Sequence, residues 1–173
     1  MHDAPKEKLS KSIPIRIGLP AMLTLVLFMT AIFFIILPAL EESFLARKRE
    51  MIRELTETAW SILATCEAWE REGAMSRREA QDRAVAQIRN LRYGPEKKDY
   101  FWINDMSPRM VMHPYRTDLN GQDVSRFEDP HGKRLFVAFV EEVEKQGAGY
   151  VEYMWQWKDD PTKMVPKLSS AKE

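Results

Sequence analysis

Tyr100 and Trp102 carry polar tips on aromatic bodies, and two-residue spacing on a strand places both on one face with Asn104. His113 comes on what reads as the returning strand, so a hydroxyl, an indole N–H and an imidazole border one stretch of chain. Such a wall can hydrogen-bond a small polar molecule while its aromatic faces exclude water. The same residue types also serve as plain core packing, which is what buried aromatics mostly do. The stretch that sets them out runs over 99–114. Tyr100 to Ile103 suits a pleated, half-buried surface. Asn104, Asp105, Ser107 and Pro108 are turn formers, and Met110 to Met112 is apolar again. Phe101 and Ile103 fall on the opposite face from Tyr100 and Trp102.

Composition removes several chemistries. The 26 basic and 26 acidic residues cancel, so overall charge gives no footprint for nucleic acid. Cys66 is the single cysteine, which excludes an intramolecular disulfide and a cysteine-rich metal site. His2, His113 and His131 leave few options for a histidine-built metal centre. The acids within 115–123 lack the order and closing glutamate of a calcium loop. Gly-x-Ser-x-Gly, His-Glu-x-x-His and phosphate-loop signatures are all missing, so enzymatic function is not expected, and neither is a cofactor or a metal.

Residues 17–40 contain no charged side chain and are long enough, at about 1.5 Å per residue, to cross a ~30 Å hydrocarbon core. Pro20 and Pro38 sit toward the ends, where proline does least harm to a helix. Lys6, Lys8, Lys11 and Arg16 precede the segment, which places the N-terminus in the cytoplasm and exports the chain beyond residue 40. A cleavable leader would have a shorter apolar core and small residues at its cut site. The expected organisation is a cytoplasmic tail over 1–16, one membrane helix over 17–40, and a folded domain over 41–173 outside the cell (inner) membrane.

From Glu41 to about Glu72 helix formers run without glycine or proline. Ile52, Leu55, Ala59, Ile62, Cys66 and Trp69 recur at alternating three- and four-residue spacing, widened by Met51, Trp60 and Leu63. This stripe fits a core helix, and equally a stem that covers a sheet and meets its twin in a homodimer. Ser76-Arg77-Arg78-Glu79 has the form of a capping box, and Ala80, Ala84, Ile88 and Leu91 line one face of the helix it opens. Tyr93-Gly94-Pro95 ends that helix.

Asn120-Gly121 signals a turn, and Asp129-Pro130 reads as the cap and first residue of a helix over 133–146 closed by Gly147. The strand 149–158 alternates Val151, Tyr153, Trp155 and Trp157 against Tyr150, Glu152, Met154 and Gln156. Asp159-Asp160-Pro161 turns the chain into a further strand beginning near Val165. Two long helices, two hairpins and a short helix describe an α+β domain with an antiparallel sheet.

The order of these pieces carries a resemblance. A span and two helices precede Ile88-Arg89-Asn90-Leu91-Arg92-Tyr93-Gly94. Then come Asp99-Tyr100-Phe101-Trp102-Ile103-Asn104-Asp105, Met112-His113-Pro114, Asp129-Pro130-x-Gly132, Gly147-x-Gly149-Tyr150-Val151-x-Tyr153-x-Trp155, and Val165-Pro166-Lys167-Leu168-Ser169. This resembles the prokaryotic single-Cache sensor domain of chemoreceptors, sensor kinases and cyclic-dinucleotide enzymes. The resemblance covers the chain from about Glu41 onward. It implies a PAS-like antiparallel sheet packed on the long N-terminal helix, and a pocket over the sheet for a short organic acid. Signal would pass along helices through the membrane in signal transduction or chemotaxis.

The positions matching the family are Tyr100, Trp102, His113, Tyr153, Trp155 and Lys167. Of these, His113 and Lys167 can donate to carboxylate oxygens, and the indoles can shut out water. The turn Asp105-Met106-Ser107-Pro108 lacks the family's usual glycine. The family also continues with one more strand, a second span and a signalling module, so an incomplete sheet edge, or a truncated fragment without signalling, is expected here. The alternative to a ligand sensor is an anchored protein whose stem mainly pairs with a partner.

Overall fold

The computed structural model describes residues 12–173, with side chains from 18 onward. The expected tail falls largely outside the described residues. The chain divides into two units, Met1–Lys48 and Arg49–Glu173.

The first unit carries α1 (Ser12–Ala31), a π-helical turn (Ile32–Ile36), and the beginning of α2 (Leu37–Arg71). By length and composition this helical run can cross a bilayer. Its Leu25, Phe28 and Phe34 side chains lie exposed, as a lipid-facing surface requires and a soluble core helix does not. The prolines sit inside the helical run, not at its ends. Pro38 has no N–H and its ring crowds the preceding turn. The ladder widens just before it, where the Leu37 N–H donates to the Ile32 carbonyl.

In the second unit α2 continues to Arg71, and α3 (Arg77–Asn90) comes next. Ser76 and Glu79 close the capping box: the Ser76 N–H donates to Glu79 Oε2 at 2.9 Å and the Glu79 N–H to Ser76 Oγ at 3.3 Å. Ala59 of α2, Ile88 of α3 and Met112 are buried together, with Leu63, Phe101 and Ile103 against them. Cys66 is buried against Ala80 and Ala84, a small core residue as its place on the apolar stripe predicts.

The strands are β1 (Arg92–Tyr93), β2 (Asp99–Tyr100), β3 (Ile103–Asn104), β4 (Met110–Met112), β5 (Ala148–Trp157) and β6 (Asp160–Lys172). The antiparallel pairing expected from sequence is present. Among the described residues the ladders are three antiparallel pairs, β1–β2, β3–β4 and β5–β6. The run 99–104 is broken because Phe101 and Trp102 join no ladder, and a bulge lies between Ile103 and Asn104. The faces nevertheless divide as the alternation predicts. Phe101 and Ile103 pack with Ala59 of α2. Trp102 meets Phe139 of α4 (Leu135–Gln146) at 5.2 Å between ring centroids. α4 ends on Gly147 in the left-handed region at φ 74°, which a residue without Cβ adopts freely.

Three local expectations are corrected. Asp129 does not cap α4, which begins six residues later. Its carboxylate instead accepts N–H groups from His131, Lys133 and Met154 at 2.9 to 3.0 Å, tying the loop to β5. Trp157 does not share the buried face of Tyr153 and Trp155. The β5–β6 register shifts between Gln156 and Trp157, so Gln156 is 4% exposed and Trp157 38%. β6 begins at Asp160, earlier than Val165, because Lys158 at φ 53° closes a tighter hairpin.

Candidate functional site

Tyr100 is the centre of the candidate site. β2 presents its ring toward β5 and β6, where it is buried. Trp155 Nε1–H donates to its hydroxyl at 2.8 Å. The edges of His113 and Tyr115 each approach at 4.9 Å between centroids. The Lys167 ammonium stands 4.9 Å from the ring centroid, in cation–π range. Burial holds the Tyr100 hydroxyl far above its ordinary range, so it stays protonated.

Lys167 reaches this cluster by register. It lies directly opposite Tyr153 in the β5–β6 ladder, so both project from one face. Tyr153 shares a hydrogen bond with Ser169 Oγ at 3.0 Å and stacks edge-on against Phe139. Trp155 lies among Phe127, Phe136 and His113 at 5.4 to 5.8 Å. Lys167 has no carboxylate or hydrogen-bond partner among the described residues, and desolvation brings its pKa down to about 8. Asp99 lies near enough to offset part of that desolvation but makes no ion pair with Lys167, so the half-buried cation stays costly unless something supplies a closer charge.

His113 is 2% exposed. Its N–H donates to Asn120 Oδ1 at 2.7 Å, and its ring Nδ1 accepts the N–H groups of Arg116 at 2.8 Å and Tyr115 at 3.2 Å. Burial, with Lys167 and Arg116 nearby, pushes its pKa down to about 3, so the imidazole is neutral. Trp102 stands apart from this group: its Nε1–H donates to Asn104 Oδ1 at 3.0 Å.

A cavity of about 300 Å³ adjoins the cluster at Tyr100 and Trp102. Its walls are apolar, from Leu55, Ala59 and Leu63 of α2 and Phe139 and Val143 of α4. Tyr100 to Asn104 and Leu168 to Glu173 line it as consecutive runs, so strand edges border it as well as strand faces. The structure therefore gathers Tyr100, His113, Tyr153, Trp155 and Lys167 in one aromatic cluster, but of the six expected pocket residues only Tyr100 and Trp102 line the cavity; His113, Tyr153, Trp155 and Lys167 lie behind its wall.

Sequence reasoning missed Arg116, Asn120 and Ser169. The Arg116 guanidinium lies 6.0 Å from the Trp155 ring and is paired with Asp118 at 2.7 Å. Its spacing from His113 matches no motif; only its place just after Met-His-Pro pointed to it. Asn120 was legible as a turn residue, not as a partner of His113. Among the described residues no three histidine, cysteine or acidic side chains converge to hold a metal.

Solved structures share this arrangement of elements. A solved "Periplasmic sensor domain of chemotaxis protein" is 40% identical with TM-score 0.71, covering 75% of this chain and 88% of that one. A structure described as "Structural basis for carboxylic acid recognition by a Cache chemosensory domain" is 38% identical with TM-score 0.71, covering 76% and 87%. The methyl-accepting chemotaxis protein McpP of Pseudomonas putida is 42% identical over 108 residues, 62% of this chain and 20% of McpP. The sensor histidine kinase MctS of Rhizobium johnstonii is 27% identical over 129 residues, 75% of this chain and 26% of MctS. The chain thus spans about a fifth to a quarter of the curated relatives it matches. The Single Cache domain 2 family matches residues 45–173, three quarters of the sequence and all of the ladders that build the site, and the chain belongs to that family.

Proposed function

We propose that this chain is the sensing part of a membrane-anchored receptor, that the helix run over 17–40 spans the bilayer with its N-terminus in the cytoplasm, and that the Cache domain outside binds a short carboxylate. The observation that carries the ligand reading is Lys167, a half-buried ammonium with no partner among the described residues, set over Tyr100 beside the neutral imidazole of His113. A carboxylate placed there takes a charge-assisted bond from Lys167 and a neutral one from His113, while Trp155 and Tyr153 screen it from water. The relative described for carboxylic acid recognition supports this ligand class. Pairing of two copies along the exposed side of α2 would let a ligand-induced shift travel down the helix toward the membrane.

A ligand bound only by the folded state stabilises it by mass action, about 2.7 kcal/mol at a hundredfold excess over Kd. Acetate, propionate and longer acids added to the full chain in detergent micelles should therefore raise its melting temperature by several degrees. A folded preparation whose melting point no mono- or dicarboxylate moves would remove the proposal.

A further inference from the structure

The turn from His113 to Arg116 does more than bring an imidazole to the cluster. Two backbone N–H groups, of Tyr115 and Arg116, point at the same ring nitrogen, Nδ1. Both are donors, so the nitrogen they meet has to be an unprotonated acceptor. In a neutral imidazole the proton then resides on Nε2, for which no described residue offers an acceptor. Protonating Nδ1 would break both bonds and set a third N–H against two others inside a site the solvent barely reaches. Asn120 holds the residue from the backbone side through the His113 N–H at 2.7 Å. Pro114 has no N–H to compete for the ring and fixes its own φ between the imidazole and the amides it meets.

We infer that this turn is a tautomer clamp: the Tyr115 and Arg116 amides, with Asn120 as a positioning residue, keep His113 as a neutral donor that offers Nε2–H to a bound anion. The part that concerns the anion rests on the function proposed above; the fixed tautomer does not. The titratable and charged groups around the ring are Tyr100 on β2, Tyr115, Arg116 and Asp118 on the loop after β4, and Lys167 on β6. Arg116 and Lys167 are cationic and Asp118 is committed to Arg116, so the surroundings oppose a second positive charge on the ring. The recognition chemistry is that of an acceptor-only ligand group. An ammonium or amide N–H at the same place would meet the Nε2 hydrogen head-on.

The test is imidazole ¹⁵N spectroscopy of the full chain in micelles, with the His113 ring assigned by its disappearance in His113→Gln and, independently, by its nuclear Overhauser contacts to Tyr100. The expected result is one tautomer, protonated at Nε2, unchanged between about pH 5 and 8, where an ordinary histidine titrates. Asn120→Ala should mix the tautomers and weaken acetate binding about tenfold, and Asn120→Asp, which keeps the acceptor oxygen, should restore both. A proton on Nδ1, a ring that titrates in that range, or an Asn120→Ala protein with unaltered tautomer and affinity would overturn the clamp. Titrated acetate separates the two readings. A shifted Nε2–H resonance supports both; a fixed tautomer untouched by acetate supports the clamp and removes the ligand assignment.

Discussion

Trp155 donates its indole hydrogen to the Tyr100 hydroxyl across 2.8 Å, and this buried bond joins β5 to β2, strands that share no ladder. It fixes the ring over which Lys167 sits. Tyr100→Phe would keep the ring and leave the Trp155 N–H buried without an acceptor, at a cost of about 1–3 kcal/mol. Chemical denaturation of the variant should show that loss. A variant as stable as the parent would mean the bond holds nothing in place.

Lys167 gives the site an alkaline limit. Its folded pKa, about 8, lies below the ordinary value of 10.5. Between those two values the unfolded chain holds the proton and the folded one does not, so this residue's penalty to stability is full below pH 8 and fades above it. Anion binding runs the other way, since it needs the charged form. Carboxylate affinity should fall as pH rises through about 8, and binding near pH 8.5 should take up a proton. Calorimetry in buffers of different ionisation enthalpy reads that uptake. Binding heats independent of the buffer would count against Lys167 as the anchor.

His113 sets an acid limit on the fold itself. Its pKa is depressed from 6.5 to about 3, so its contribution is present above the ordinary value and lost as pH falls through the folded one. The melting temperature should decline from pH 6.5 downward. His113→Gln should flatten that decline relative to the parent, even if it starts lower.

Asp129 is the second acid-sensitive point. Burial raises its pKa, but the amides of Met154, Lys133 and His131 outweigh that and hold it below the usual carboxylate range. Its stabilisation is therefore present above that range and lost as pH falls below it. Asp129→Ala strands three N–H groups and should cost about 2–4 kcal/mol, against about 1 kcal/mol for Ser76→Ala at the α3 cap. Equal losses in the two variants would contradict the loop-tying role.

Much of the domain could be read without coordinates, because its signals are local. The capping box at Ser76 and Glu79, the apolar stripe through Ala59 and Cys66, and the opposed faces of Phe101 and Trp102 each come from spacing alone. What escaped depends on contacts distant in sequence or on one-residue slips of register. Asp129 resembles a helix cap until Met154 comes beside it from β5. Trp157 obeys alternation until a bulge turns it outward. No periodicity marks Asn120 as the partner of His113, because a turn residue and a histidine seven positions away meet only once the loop has closed. The candidate site was legible as residue types and not as a charge pattern. That Lys167 lacks a partner among the described residues while Arg116 has Asp118 is a fact of packing.

The most direct test is isothermal titration of acetate and propionate into the full chain in micelles at about pH 7, with Lys167→Met in parallel. The account predicts saturable one-to-one binding that weakens at least tenfold in the variant, the usual scale for losing a charge-assisted bond of about 1.5–3 kcal/mol. Equal affinity in the two proteins, or no saturable heat from a folded parent, would contradict it.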